Sequence, residues 1–184
     1  MLAYISGLVL KLFGWKVKGD FPEGNKFVVL AAPHTSMWDF VWGKFYYWSI
    51  RKPVKFMIKE KYFTFPLGIL LKSLGAIPVV MSRKTGLVKQ MVSKYKNDEV
   101  FMLTITPEAT RSKVKRWKRG FYHIAKESQV PVSLGYLDFE KKELGILETI
   151  TPTDDELKDM EYIRQKYENV KAKYPENYNA ESIV

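Results

Sequence analysis

His34 and Asp39 stand five residues apart in the stretch AAPHTSMWDF (31–40), directly after the apolar run KFVVL. An imidazole is the side chain best suited to take up a proton near neutral pH. A carboxylate that holds one ring nitrogen leaves the other free for an incoming hydroxyl. The same residues also fit an ordinary helix start, with Thr35 or Ser36 as cap and Asp39 favourable in the first turn. Positions five apart on an ideal α-helix do not share a face, so a contact between the pair requires part of HTSMWD to be turn.

A second cluster, TPEATRSKVKRWKRGF, places Glu108, Thr110 and Arg111 just past another apolar strand, followed by Lys113, Lys115, Arg116, Lys118 and Arg119. Arg111 offers a planar fork suited to phosphate oxygens, with Thr110 as a neutral donor. Gly120 permits close backbone approach where the next helix begins, a ready anion site. A merely solvated basic loop is the alternative for this run. Lys59, just past VKFMI, either faces the same cleft or stands in solvent. His123 is expected to be structural. The chain has no cysteine and only two histidines. That excludes disulfides, a thiolate nucleophile and Cys-ligated metal, and it argues against a His-rich metal site; neither a metal nor a cofactor is expected.

The elements that must position these residues follow from pattern. Short β-rich runs recur at KFVVLAA, VKFMI, AIPVV, VFMLTI and VPVSLGYLDF, separated by helix-compatible stretches at 36–50, 66–74, 85–97 and 119–129. Strands alternating with helices predict an α/β fold: a single domain over 1–184 with a central sheet covered by helices on both faces. LDFEKKELGILE predicts a late hairpin turning at 140–142, making the sheet mixed but mostly parallel. Residues 1–15 read as an amphipathic helix, from the spacing of Leu2, Ile5, Leu8, Val9 and Leu12. Thr153 with Glu156 predicts a capping box opening a charged helix over 153–173, and 174–184 reads as a loosely held tail. Both AAPHTS and TITPEATRS fall at the carboxyl ends of strands, where ligands gather in such sheets.

A net charge of +10 with 15% aromatic residues calls for an acidic partner: nucleic acid, anionic lipid, an acidic carrier protein or a phosphorylated small molecule. No segment reaches the roughly 20 apolar residues of a membrane span. The N-terminal helix either lies on a membrane or packs on the domain. Aromatics crowd the stretch after His34, at Trp38, Phe40, Trp42, Phe45, Tyr46, Tyr47 and Trp48. Some must be core, and the others are placed to line a groove or meet lipid.

Taken in order, HTSMWD, KSLGAIPVV, TPEATRS, WKRGFYHIA and VPV resemble the lysophospholipid acyltransferase family of the 1-acylglycerol-3-phosphate acyltransferase type, over roughly residues 27–137. The matching motifs are the H-x4-D pair His34 and Asp39, the segment Gly75 to Pro78, the E-G-T-R-like Glu108 to Arg111, and the Pro-containing strand at Val130 to Val132. The resemblance implies direct acyl transfer from acyl-CoA or acyl carrier protein to a hydroxyl of a lysophospholipid or glycerol-phosphate-like acceptor. In that scheme His34 is the general base, assisted by Asp39. Glu108, Thr110, Arg111 and Arg83 would meet the acceptor, with Lys59, Gly75, Lys118 and Gly120 as further cleft residues. No G-x-S-x-G elbow is present, in keeping with a mechanism lacking an acyl-enzyme.

Three departures stand out. Ala109 replaces the family's glycine. Val80 and Met81 occupy the place of a phosphate-binding arginine, with Arg83 slightly later. Few residues precede His34, so a peripheral attachment to an anionic membrane surface, at its cytoplasmic inner face, is expected in place of an embedded anchor. Competing readings are an acyltransferase for a non-phosphate hydroxyl acceptor and a noncatalytic basic protein that binds membrane or nucleic acid. No nucleic-acid signature is present.

Overall fold

A computed structural model describes residues 1–80 and 84–184. Its seven-stranded sheet comprises β1 (Lys16–Lys18), β2 (Lys26–Ala31), β3 (Lys55–Lys59), β4 (Ala76–Val79), β5 (Phe101–Ile105), β6 (Val132–Asp138) and β7 (Glu143–Ile150). The helices are α1 (Leu2–Leu12), α2 (Met37–Ser49), α3 (Leu67–Ser73), α4 (Lys84–Asn97), α5 (Gly120–Ser128) and α6 (Glu156–Tyr167). Strand order is β1-β7-β6-β2-β5-β3-β4. Every neighbouring pair is parallel except the β6–β7 hairpin. The expected mixed, mostly parallel sheet is what the chain forms.

β2 shows why such a strand reads as a continuous apolar run. Phe27 and Val29 point to one face, where α1 and α2 supply Leu10, Trp42, Tyr46 and Tyr47. Val28 and Leu30 point to the other, against Met91 and Tyr95 of α4, Phe121 and Ile124 of α5, and Met160 and Ile163 of α6. A strand covered on both faces has no polar side to show, which is the rule for parallel sheets. β2 lies between β5 and β6, so the segment leaving its carboxyl end opens at the middle of the sheet.

Several boundaries differ from expectation. The first helix stops at Leu12; Gly14, at φ +79, turns the chain into β1. That three-residue strand, exposed throughout, is held by parallel pairing to β7. Thr153 and Glu156 form no capping box. Asp155 caps α6 by accepting from the Lys158 amide, while Thr153 bonds instead to Asp159. α6 ends at Tyr167 and not at Lys173, because the chain beyond turns back along β6, where the Lys171 carbonyl accepts from Phe139 N–H at 2.9 Å. The segment expected to be a loose tail is packed down: Ile183 is fully buried and the Ser182 carbonyl accepts from Trp117 N–H at 2.7 Å.

Candidate active site

The turn between β2 and α2 places His34 outside the helix and Asp39 in its first turn. Ser36 is the N-cap, its Oγ accepting from Trp38 N–H, and Asp39 completes a capping box by accepting from Ser36 N–H. The same Asp39 Oδ2 accepts from Thr35 N–H at 2.8 Å and lies 3.1 Å from His34 Nδ1. Helix cap and imidazole holder are therefore one carboxylate. The five-residue spacing works because residues 34–36 are extended turn.

With Nδ1–H donated to Asp39, the other ring nitrogen of His34 is an acceptor. The His34 side chain is 19% exposed and lines a predominantly apolar cleft of about 1100 Å³. Met37, Phe40, Lys44 and Tyr47 of α2 form one wall at helical spacing, and Leu71 and Leu74 of the α3 region, Phe56 of β3 and Leu87 of α4 continue it. Of the crowded aromatics, Trp42, Tyr46 and Tyr47 are buried, Tyr47 and Phe40 face the cleft, and Trp38 is exposed.

Glu108 sits beneath this turn. It is buried, its Oε1 accepts from the His34 backbone N–H at 3.0 Å, and its Oε2 has no partner. Burial pushes its carboxyl up to about 7, opposed by the His34 contact and aided by the nearby Asp39 charge. At the start of α5, Lys118, Arg119 and Gly120 line the cleft. Arg119 Nε lies 3.6 Å from Glu156, whereas Nη1 and Nη2 are enclosed without a partner among the described residues. Deep in the cleft, Lys44 donates to the Leu74 carbonyl at 2.7 Å, and burial beside Lys55 lowers its pKa to about 8.

The model of the acyltransferase family matches residues 15–133, a stretch that holds every residue lining the cleft except Leu137. The chain belongs to the acyltransferase family. Its fold is similar to the crystal structure of the 1-acyl-sn-glycerophosphate (LPA) acyltransferase PlsC from Thermotoga maritima, with a TM-score of 0.63 and 21% identity over 89% of this chain and 74% of that one. No curated protein matches the chain.

The acyltransferase assembles His34, Asp39, Glu108, Lys118 and Gly120 in one place, as their sequence motifs imply. Thr110 and Arg111 do not join them: both are exposed and outside the cleft lining. The reason is local. The Ala109 N–H donates to the Thr106 carbonyl at 3.1 Å and Ala109 itself, still on the cleft, is left-handed (φ +57), so the chain reverses there and carries Thr110 and Arg111 out of the cleft. Lys59 is also exposed and outside the lining. Gly75 is a backbone requirement: at φ +91, a Cβ there would meet the Val54 carbonyl oxygen at 3.1 Å. Arg83 lies outside the described residues. His123 stands exposed on the cleft wall. Arg119 is the cleft residue that a run of five cations concealed. Only tertiary burial distinguishes it from its neighbours. Among the described residues, no group of three His, Asp or Glu side chains is placed to hold a metal ion.

Proposed function

We propose that the protein transfers a fatty acyl group from acyl-CoA or acyl carrier protein to a hydroxyl of a lysophospholipid or glycerol-phosphate-like acceptor, with His34 as general base. The observation that carries this reading is the His34–Asp39 pair at the wall of a large apolar cleft. The acyl chain occupies the apolar part of the cleft along α2, with its thioester carbon next to His34. The acceptor hydroxyl gives its proton to His34 Nε2 as its oxygen attacks that carbon. Asp39 stabilises the imidazolium that develops. Collapse of the tetrahedral intermediate expels the thiolate, which takes the proton back from His34, leaving an ester and a free thiol. General-base assistance contributes roughly 10²- to 10⁴-fold, and holding both substrates in one cleft supplies much of the remainder.

The acceptor's anionic group is assigned here to Arg119 and Lys118, not to Arg111. Two enclosed, unpaired guanidinium nitrogens call for a bidentate anion. Attachment to an anionic membrane surface fits the apolar residues left on the outside. No described helix is long and apolar enough to cross a membrane. Leu2, Tyr4, Ile5, Leu8 and Leu12 of α1 are exposed, as are Phe65, Leu67, Ile69 and Leu70 at α3. Leu71 of that same helix lines the cleft, so a bilayer beneath α3 would lie next to the acyl-chain wall.

The decisive experiment offers acyl-CoA and acyl carrier protein donors against a panel of lysolipids and reads products by mass spectrometry. His34→Ala should abolish transfer in a folded protein. Arg119→Gln should reduce efficiency ten- to a hundredfold for a phosphate-bearing acceptor, the worth of a charge-assisted contact. It should do little to an uncharged monoacylglycerol, and Arg111→Gln should affect neither. Near-normal turnover by His34→Ala would sink the mechanism; equal losses on both acceptors would sink the anion assignment.

A further inference from the structure

Residues 173–183 reach both loops that build the site, the β2–α2 turn and the β5–α5 connection. The Tyr174 backbone N–H donates to Thr35 Oγ1 at 3.2 Å, inside the turn that holds His34 and Asp39. Lys173 Nζ lies 4.9 Å from the ring of Trp38, in the first turn of α2. The Ser182 carbonyl accepts from Trp117 N–H, directly ahead of Lys118 and Arg119. Between these anchors Tyr178 packs on the core with its hydroxyl buried and unpartnered.

The two loops leave different strands, β2 and β5, and the His34 and Glu108 segments meet through one direct hydrogen bond. A third segment tied to both loops fixes their spacing more firmly than that single bond. We propose that residues 173–183 form a positioning strap for the acyl-transfer site, with Thr35 as its clasp. The strap touches no reacting atom; it acts through the turn that holds His34, and it rests on the acyl-transfer reading above.

Two variants of the full chain test this. Thr35→Val keeps the branched shape but removes the acceptor for Tyr174 N–H. It should lower kcat five- to tenfold, with KM for the donor and the melting temperature nearly unchanged. Thr35→Ser, which keeps the oxygen, should hold kcat within twofold of wild type. With His34 and His123 the only two histidines, the His34 ring signals are readily assigned by NMR. They should shift in Thr35→Val and not in Thr35→Ser, a readout that stands even if the substrate class is wrong. Equal losses in both Thr35 variants, or wild-type kcat and unshifted His34 signals in Thr35→Val, overturn the strap.

Discussion

Replacing Asp39 by asparagine should separate its two duties, because they depend on different properties of the side chain. The cap needs only an oxygen where Oδ2 now accepts from Thr35 and Ser36 N–H, and an amide oxygen can accept both. The imidazole needs a negative charge 3.1 Å from Nδ1 once a proton has arrived on the ring. Turning charge-assisted bonds into neutral ones costs stability of about 1 kcal/mol, within the 0.5–2 kcal/mol range for a lost cap. The catalytic loss is larger, roughly 10²- to 10⁴-fold in kcat, since the developing imidazolium loses its counter-charge. Ser36→Ala is the matched control: it removes only the cap to Trp38 N–H, so it should cost about 1 kcal/mol and leave most of the turnover. The assay pairs urea unfolding with single-acceptor kinetics on all three proteins. If Asp39→Asn turned over like Ser36→Ala at equal stability, Asp39 would be a helix cap and nothing more.

Glu108 makes stability depend on pH in an unusual direction. Its folded pKa of about 7 lies above the ordinary 4.5, so the folded state holds the proton more tightly. Below pH 4.5 nothing is lost, and stability falls as pH rises through the window to 7, by on the order of 3 kcal/mol. Glu108→Gln should remove that slope; unfolding at pH 5 and pH 7.5 measures it, and an unchanged slope would reject the assignment. Ala109→Gly should relieve about 1–2 kcal/mol of left-handed strain while giving back about 0.5–1 kcal/mol in chain entropy. The net expectation is a melting temperature higher by about 1–4 °C, read by calorimetry. Vesicle sedimentation should show binding that weakens with salt and with Leu8→Glu or Ile69→Glu; equal binding to neutral and anionic vesicles at every salt would reject the surface.

Much of this was legible before any coordinates. Alternating apolar runs and capped helices announce the sheet, and the H-x4-D and Glu108 motifs fall where strands end. What escaped did so for definite reasons. β1 has no buried residue and is held by backbone pairing alone, so no side-chain periodicity could mark it. The segment after Tyr167 carries no periodic pattern, yet its aromatic and apolar residues find places prepared by distant strands. Arg119 and Arg111 look alike in sequence; a left-handed turn at Ala109 sends one into solvent, and the start of α5 encloses the other. Thr153 found Asp159 in place of Glu156 because Asp159 also accepts from the Tyr122 hydroxyl, a tertiary contact that outcompetes a local box.

The central place of β2 also governs how the protein must be made. Val28 pairs with Met102's neighbour Leu103 on one side and with Val132 on the other, so the strand is synthesised about 100 residues before its second partner. At ribosomal speeds of 5–20 residues per second, the run KFVVLA waits roughly 4 to 15 s for β5 and roughly 5 to 20 s for β6, with at least one backbone edge unpaired throughout. An unpaired strand of that composition is a template for pairing with other chains. Slower growth of the pool of unfinished chains, at low temperature and weak induction, should therefore raise soluble yield more than any solubilising change to the finished surface.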